Sequence, residues 1–485
     1  MKSNNKLIKK YSILDVKMKA MIWFVFCNAF QKGISYLCVP FYTRLLSSEQ
    51  YGIYSLFQSW VSIATVFFTL NLFYSGYVAG LTRFESNEKE YTTSCVGFTL
   101  FLSFIGGFFL VVAKILVPSI ILFSLKYILY LIIEIIFTSF YYFWAAHERY
   151  FYSYVDLLYV TLIPNILCSV LGIYIMSIIP YGLRLEVRII INLTIWGITG
   201  LWSAVKLLGS RYKLCNKFYW IYSFKNNFPL IPHYLSGIVL NQADKIMIDY
   251  YCGSRFTAYY SLSYSISMMM LIFTTALKNA LDPMIYKSIR DKSCDNMKNI
   301  ISASFISVSF LTILSALASP ELLRLFAPSE YYQAKDVFPS LASSVFFVFS
   351  YNIFSSTFFY YKRSKTMTML SVVAATSNVL LNIIFIPMYG YVIAGYTTLI
   401  SYIVLTLVYF FAGKCILHRE SNELFYSHNG YLMVAFLTVL LCNLTIFVYD
   451  FLLLRWIIIL SMLFAMFIFR NKIVYVTKEL KNVKV

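Results

Sequence analysis

Residues 92–113 read TTSCVGFTLFLSFIGGFFLVVA, an uncharged run that lies between Glu90 and Lys114. An α-helix of about 20 apolar residues crosses the ~30 Å hydrocarbon core of a bilayer. The length and composition of this run therefore predict a transmembrane helix. Similar runs recur along the whole chain of 485 residues. The sequence consequently predicts an all-α polytopic membrane protein.

Marking apolar runs bounded by charge, Pro or Gly gives about 14 predicted membrane spans. They are 20–43, 51–80, 92–113, 118–146, 152–179, 186–205, 227–250, 256–283, 299–326, 336–361, 366–387, 391–413, 430–449 and 452–469. The composition agrees, since 60% of the residues are hydrophobic and only 13% are charged. Soluble domains carry about 25% charged residues. A soluble enzyme, a nucleic-acid-binding module and a secreted disulfide scaffold are therefore excluded.

The net charge of +19 is spread over short clusters between the apolar runs. If both termini face the cytoplasm, most Lys and Arg residues fall on the cytoplasmic side, as the positive-inside rule requires. The few assigned to the opposite side are Arg44, Lys114, Lys126, Arg184, Arg188, Arg255, Arg324 and Lys335. This bias predicts cytoplasmic N- and C-termini and an even number of spans. It also accounts for the basic composition without a nucleic-acid partner.

A weak internal repeat relates the two halves of the chain. Residues 54–59, YSLFQS, follow a Gly33-Ile34 pair, and residues 260–265, YSLSYS, follow Gly237-Ile238. Six helices followed by six in the same orientation form a parallel pseudo-two-fold repeat, as in transporters. The predicted organisation is an N-lobe of helices 1–6 (1–212), a basic interlobe linker (213–226), a C-lobe of helices 7–12 (227–420), and two extra helices with a basic cytoplasmic tail (421–485).

Ionisable residues inside membrane spans are functional candidates, because each costs about 2.5–3.5 kcal/mol even on insertion scales. The main ones are Lys32, Glu134, Asp244, Lys245, Lys278 and Arg455. Lys32 is predicted to line a transport pathway, whereas Lys278 could equally snorkel to the interface. Arg455, close to Asp450, is predicted to be an interfacial anchor. Asp244 and Lys245 point about 100° apart on a helix, so each needs a partner of its own.

A second polar set lies in the eleventh and twelfth spans. Asn378 and Asn382 are one helical turn apart, and Thr398 follows in the next span. Such residues often hydrogen-bond neighbouring helices. Together with Asp244 they could also offer oxygen ligands to a hard monovalent cation such as Na⁺. The scattered cysteines and histidines show no spacing typical of a structural metal site.

Two stretches resemble a known family. Residues 32–34 (KGI), 40–46 (PFYTRLL) and 51–54 (YGIY) near the start, and 382–390 (NIIFIPMYG) and 394–402 (AGYTTLISY) near the end, are similar to the polysaccharide transporter, or Wzx-type O-antigen flippase, family. That family belongs to the superfamily of multidrug exporters and lipid II flippases. The resemblance implies a MATE-like fold in the bacterial inner membrane. It also implies movement of an undecaprenyl-diphosphate-linked oligosaccharide by ion-coupled alternating access, without enzymatic activity.

The resemblance also implies roles for individual residues. Lys32, Arg44, Lys245 and Lys278 match the cationic cavity that binds the diphosphate, which is consistent with the need for fixed cations beside that group in a low dielectric. Asp244, Asn378, Asn382, the Ala394 carbonyl and Thr398 match the Na⁺ site of some lipid II flippases. Those relatives carry a second acid where this chain has Asn382. The coupling ion, Na⁺ or H⁺, is therefore left open, and no other cofactor is implied.

Two other functions compete with the flippase. A cation-coupled drug antiporter of the same superfamily would be expected to have an acidic or neutral pocket, and the buried lysines argue against it. A membrane-bound O-antigen polymerase or ligase would be expected to carry a large outward loop, whereas the outward loops here are short. The expected partners of a flippase are the lipid-linked oligosaccharide, membrane lipid, and the polymerase and chain-length proteins of the same pathway.

Overall fold

The computed structural model describes residues 15–117, 123–208, 213–292, 295–420 and 423–468. Within these ranges the chain is helical and contains no β-strand. Its helices are α1 (Val16–Leu45), α2 (Ser48–Thr69), α3 (Ser75–Arg83), α4 (Glu88–Leu116), α5 (Leu125–Tyr150), α6 (Tyr154–Ile178), α7 (Arg184–Leu207), α8 (Lys217–Asn227), α9 (Ile231–Cys252), α10 (Ser254–Met268), α11 (Leu271–Asp291), α12 (Asp295–Leu317), α13 (Ser319–Phe326), α14 (Phe338–Tyr360), α15 (Ser364–Tyr389), α16 (Val392–Arg419), α17 (His428–Leu444) and α18 (Leu452–Ile468).

Every predicted span corresponds to one of these helices or to two consecutive ones. Eleven helices in the described ranges are long and apolar enough to cross a membrane. Helices α2 and α9 occupy two further predicted spans but carry more polar residues, and α18 is shorter. The all-α polytopic membrane fold with about 14 transmembrane helices is thus confirmed.

Local backbone signals explain where the helices begin and break. Ser47 and Gln50 form a capping box that starts α2. The predicted span 51–80 is wrong as a continuous helix, because Leu70 and Asn71 both adopt φ 49° and end α2 before α3 begins. Gly253 (φ 96°) separates α9 from α10, and Gly390 (φ 74°) ends α15. Glycine adopts these left-handed angles without steric cost.

The chain divides into two compact units, Met1–Leu235 (unit 1) and Ser236–Val485 (unit 2). In unit 1, α1 packs on α6 and α5 packs on α7, while α2 and α4 pack on α5. The basic segment predicted as a linker contains α8, which packs on α4. Trp220 holds it there by donating its indole N–H to the Ser94 carbonyl at 2.9 Å.

In unit 2 the central element is α14, which packs on α16, α12, α11 and α17. It is almost completely buried although it is rich in serine. Ser343 and Ser344 donate their hydroxyls to backbone carbonyls one turn earlier, so these side chains can be buried without unmade hydrogen bonds. Small serine side chains also let neighbouring helices approach closely. Helix α17, one of the two extra helices, belongs to this packing.

The predicted lobe and linker boundaries stay predictions, and several predicted features lie outside the described residues. These are the lysines of the extreme N-terminus, Arg211, Cys294 and the basic C-terminal tail. Arg455, predicted to be an interfacial anchor, is instead 1% exposed. It forms an ion pair with Glu321 and donates to the Tyr449 carbonyl at 2.8 Å. Packing of α18 on α12 buries this part of the chain, which the sequence does not indicate.

Candidate functional site

Asp244, on α9, is a buried acid of unit 2 whose carboxylate accepts four hydrogen bonds. Its side chain is 0% exposed. One carboxylate oxygen, Oδ2, accepts hydrogen bonds from the Tyr260 hydroxyl at 2.5 Å and the Thr398 hydroxyl at 2.6 Å. Two different helices, α10 and α16, thus satisfy this oxygen.

The other carboxylate oxygen is bound by the two asparagines of α15. Oδ1 accepts from the Asn378 amide at 3.1 Å and the Asn382 amide at 2.5 Å. The amide oxygen of Asn382 accepts from the Thr397 hydroxyl, which also donates to the Ala394 carbonyl at 3.0 Å. We call Asp244, Tyr260, Asn378, Asn382, Thr397 and Thr398 the Asp244 cluster. All six residues are at most 2% exposed.

Helix geometry explains why these side chains meet. Residues four apart lie on one face of a helix, so Asn378 and Asn382 both point at Asp244. Gly390, with its left-handed backbone, ends α15 and allows the chain to return directly as α16. This reversal places Ala394, Thr397 and Thr398 in the first turns of α16, beside the asparagines.

The cluster consists of oxygen-bearing groups with a single carboxylate. Carboxylate, amide, hydroxyl and carbonyl oxygens are the ligands that hard cations prefer. In this conformation the amides present their N–H groups to Asp244, and a turn of either amide about its Cβ–Cγ bond would present its oxygen instead. The donor set therefore fits a monovalent cation. Among the described residues, no group of three or more His, Cys, Asp or Glu is placed to hold a metal ion.

The structure brings together Asp244, Asn378, Asn382 and Thr398, with the Ala394 carbonyl bound through Thr397. Sequence reasoning missed Tyr260 and Thr397 as members of this set. Tyr260 opens the internal repeat YSLSYS, so its recurrence at a topologically equivalent position was the available signal. Thr397 had no signal beyond its position next to Thr398.

The two predicted cations of unit 2 have different surroundings. Lys245 donates to the Gln242 side chain at 3.1 Å, and its ammonium lies 5.0 Å from the centre of the Tyr264 ring. Lys278 forms an ion pair with Asp282, one turn along α11. Asp282 also accepts from the Ser356 hydroxyl at 2.6 Å. Lys278 is thus neutralised locally, whereas Lys245 contacts no acid side chain in the described ranges.

The two predicted cations of unit 1 lie on α1 and are both exposed. Arg44, in the last turn, donates to the Pro40 carbonyl at 2.9 Å. Lys32 is exposed near the middle of the helix. Because α1 is a membrane helix in a lipid-facing protein, an exposed cation at mid-helix needs water or an anion beside it.

Unit 1 also contains a buried charged cluster that sequence reasoning missed in part. Arg188 and Glu134 are each 5% exposed, on α7 and α5. The guanidinium of Arg188 lies 4.9 Å from the ring centre of Tyr42 and 5.4 Å from that of Tyr54. Glu134 accepts from the Asn192 amide at 2.9 Å. We call these five residues the Arg188 cluster.

The outward-side location of Arg188 stays a prediction. The structure places Arg188 in α7, which begins at Arg184, close to the predicted start of this span at residue 186. Tyr54 was found in the repeat motif YSLFQS. Each repeat tyrosine therefore lies at the buried charge of its own unit.

Comparisons with solved structures identify the class of fold. The chain resembles a structure described as lipid II flippase MurJ in an inward closed conformation, with 14% identity, a TM-score of 0.68, and coverage of 93% of this chain and 100% of that one. It also resembles an inward-facing multidrug resistance MATE family transporter of the MOP superfamily, with 13% identity, a TM-score of 0.58, and coverage of 81% and 96%. This is the fold of the membrane transporters of the MOP superfamily.

Sequence comparison gives the family. The family described as polysaccharide biosynthesis protein matches residues 18–289, and the MatE family matches residues 229–384. The first match covers more than half of the chain, which therefore belongs to the polysaccharide biosynthesis protein family. A MOP superfamily transporter from Pyrococcus furiosus, described as having a binding pocket of reversed polarity, is 15% identical with a TM-score of 0.51 and coverage of 84% and 98%. No curated protein matches the sequence.

Proposed function

We propose that this protein is a flippase that moves a lipid-linked oligosaccharide, of the undecaprenyl-diphosphate type, across the bacterial inner membrane. The observation that carries the proposal is the Asp244 cluster in a chain of the polysaccharide biosynthesis protein family. Its fold is shared with a protein described as a lipid II flippase. A buried acid bound by side chains of three other helices is suited to coupling an ion to helix movement.

Each residue of the Asp244 cluster has its own proposed role in ion coupling. Asp244 supplies the negative charge, and Tyr260 and Thr398 orient its Oδ2. Asn378 and Asn382 bind Oδ1 in this conformation, and they can offer amide oxygens after rotation. A Na⁺ ion or a proton would supply the compensating positive charge. Movement of α15 or α16 relative to α9 would break these bonds, so binding at Asp244 and helix position are linked.

Cationic side chains are the proposed diphosphate contacts. Lys32 and Arg44 are exposed on α1 of unit 1, and Lys245 in unit 2 donates to the neutral Gln242 side chain. Lys278 is a weaker candidate, because Asp282 neutralises it. Lysine and arginine bind phosphate groups by charge and N–H donation, so these residues suit a diphosphate.

A second candidate is a cation-coupled exporter of small molecules. The specific observation that favours it is the similarity to the inward-facing MATE family transporter, at a TM-score of 0.58. Both functions use a buried acid, but only the flippase needs fixed cations for its substrate. A polymerase or ligase activity has no support in the fold. The polymerase and chain-length proteins of the pathway remain proposed partners, and cytoplasmic termini remain the proposed orientation.

The test is complementation of a deletion strain with wild-type, Asp244→Asn and Asp249→Asn forms, scoring surface polysaccharide and protein level. Asp249 is a matched control, because it is a second buried acid on α9, and its side chain accepts one hydrogen bond from a described side chain, that of Ser254 at 2.6 Å. We expect Asp244→Asn to abolish the polymer at normal protein level and Asp249→Asn to retain it.

The deletion strain itself separates the candidate functions. A flippase defect leaves the lipid-linked unit in the cytoplasmic leaflet, where externally added glycan-labelling reagents do not reach it in intact spheroplasts. Accumulation in the periplasmic leaflet would identify a polymerase or ligase instead. Normal polymer together with increased drug sensitivity would identify an exporter.

A further inference from the structure

We propose that unit 1 contains a binding site for a small anion, with Arg188 as its principal ligand. Arg188 is 5% exposed, and its Nε and Nη1 atoms have no hydrogen-bond acceptor among the described residues. Arginine keeps its positive charge in proteins. A buried guanidinium with unmade hydrogen bonds is costly, and an anion would supply both the missing charge and the missing acceptors.

The nearest acid does not fill this role in the observed conformation. Glu134 forms no ion pair with Arg188 within 4.0 Å in the described part of the chain, and its Oε2 atom also lacks a hydrogen-bond partner. Its Oε1 atom is bound by Asn192, which lies one helical turn beyond Arg188 on α7. The bond to Asn192 thus holds the carboxylate apart from the guanidinium.

The surroundings of Arg188 favour a small ligand. The aromatic rings of Tyr42 and Tyr54 lie against the guanidinium, and Gly172 on α6 faces it with no side chain. A Cβ at Gly172 would lie 3.6 Å from Arg188 Cδ and Nη1. Helices α1, α2, α5 and α6 therefore all contribute to the enclosure of this side chain.

Charged groups on the packed helices leave Arg188 as the dominant cation in this interior. Helix α2 contributes Tyr54, and α6 contributes Cys168, whose thiol donates to Asn192 at 3.7 Å. Lys126 and Glu186 pair with each other at 2.6 Å near the starts of α5 and α7. The charged residues of α4 lie at its two ends. Glu134 is the acid that would compete with an anion for Arg188.

The proposed anion site rests on the burial and the unmade hydrogen bonds of Arg188, and it does not depend on the proposed flippase function. A chloride ion, an inorganic phosphate and the diphosphate of a lipid carrier all accept hydrogen bonds from a guanidinium. Enclosure by four other helices favours the smallest of these. Comparison of chloride, phosphate and diphosphate as probes therefore distinguishes an ion site from part of the substrate path.

The experiment uses the purified full chain in nanodiscs made from zwitterionic lipid, in gluconate buffer at constant ionic strength. Chloride, inorganic phosphate or inorganic diphosphate replaces gluconate stepwise, and the midpoint of thermal unfolding is recorded, with ³⁵Cl NMR line width as a direct readout of chloride binding. A ligand that binds the folded state raises the midpoint in a concentration-dependent way. We expect wild type to show a saturable chloride-dependent rise.

Three variants assign the effect. Arg188→Gln should abolish the rise and the line broadening, and Glu134→Gln should strengthen apparent chloride affinity by about tenfold, because a competing negative charge is removed. Lys206→Gln is the matched control, because it removes a positive charge from an exposed position of the same helix and should change nothing. If Arg188→Gln does not fold, Glu134→Gln still tests the site.

Three results would overturn the proposal. One is a wild type whose unfolding midpoint and line width respond to none of the three anions. Another is a folded Arg188→Gln variant that responds as wild type does or, where that variant does not fold, a Glu134→Gln variant whose chloride affinity equals that of wild type. A response to diphosphate alone would also overturn the small-anion site, and would assign Arg188 to a diphosphate site instead. Loss of complementation by the wild type would affect only the flippase proposal.

Discussion

The buried charges of the two units differ in whether their polar atoms have hydrogen-bond partners. In unit 2, Asp244 accepts four hydrogen bonds from three helices. In unit 1, the buried Arg188 has two nitrogen atoms without an acceptor among the described residues, and Glu134 has one oxygen without a donor there. All three charged residues lie on predicted membrane helices and are at most 5% exposed. Burial alone therefore does not separate a satisfied charge from one that needs a ligand.

The repeat tyrosines show the same difference. Tyr260 donates its hydroxyl to Asp244 at 2.5 Å, whereas the ring of Tyr54 lies 5.4 Å from the Arg188 guanidinium. At this repeat position, Tyr260 contacts the acid Asp244 through its hydroxyl, whereas Tyr54 contacts the cation of Arg188 through its aromatic face. The internal repeat retains the location of a buried charge but not its sign.

The largest effect is expected from Asp244→Leu, which leaves the donors of the Asp244 cluster without an acceptor. Each buried donor that loses its acceptor costs about 1–3 kcal/mol, and Asp244 accepts four hydrogen bonds, so the total is about 3 kcal/mol or more. We expect a loss of that size in the free energy of unfolding, measured by chemical denaturation in detergent micelles. Asp249→Leu, which removes a single bond from Ser254, should cost about 1–3 kcal/mol. Equal losses would show that the network around Asp244 adds nothing.

A second carboxylate at position 382 tests whether the cluster suits a cation. Asn382→Asp removes the donor that lies 2.5 Å from Asp244 and adds a like charge. In Na⁺-free buffer we expect a destabilisation of about 2–3 kcal/mol. Added NaCl, compared with N-methylglucamine chloride, should recover much of it, because Na⁺ binds the folded state.

The same titration of wild type with Na⁺ provides the reference for Asn382→Asp. Asn378→Asp is the matched control, because Asn378 donates to Asp244 over a longer distance of 3.1 Å. It should show a smaller loss and a smaller Na⁺ recovery. Absence of any Na⁺ dependence in all three proteins would favour a proton as the coupling ion.

Tyr260→Phe sharpens the comparison by removing one hydroxyl from a charged acceptor. Hydrogen bonds to charged groups contribute about 1.5–3 kcal/mol, and those to neutral groups about 0.5–1.5 kcal/mol. Tyr264→Phe is the control, because Tyr264 donates to the neutral Asn241 side chain at 2.7 Å. We expect Tyr260→Phe to lower the free energy of unfolding more than Tyr264→Phe does. Equal effects would indicate that Asp244 is not charged in this state.

The fold was predictable from the sequence because hydrocarbon imposes a simple rule, in which every long uncharged run becomes a helix. The break at Leu70 and Asn71 was not, since neither residue is Gly or Pro and the turn depends on tertiary packing. Asp244, Asn378, Asn382 and Thr398 were predicted to lie together from a family resemblance and the spacing of the asparagines. Tyr260, Thr397 and Arg188 were missed, because partner choice between helices is a property of packing and leaves no periodic signal.

The smallest effect is expected from replacing the central charges of the Arg188 cluster together. Because Arg188 and Glu134 have unmade hydrogen bonds, the double variant Arg188→Met with Glu134→Gln should change the free energy of unfolding by less than about 1 kcal/mol in chloride-free buffer. Arg188→Met alone should change it by as little, because Arg188 Nε and Nη1 and Glu134 Oε2 have no hydrogen-bond partner among the described residues to lose. An Arg188→Met variant that loses about 3–5 kcal/mol while the double variant does not would mean that Arg188 and Glu134 already stabilise one another across the observed gap. Unit 1 would then hold a satisfied charge pair like the cluster of unit 2, and the reason to place an anion beside Arg188 would disappear.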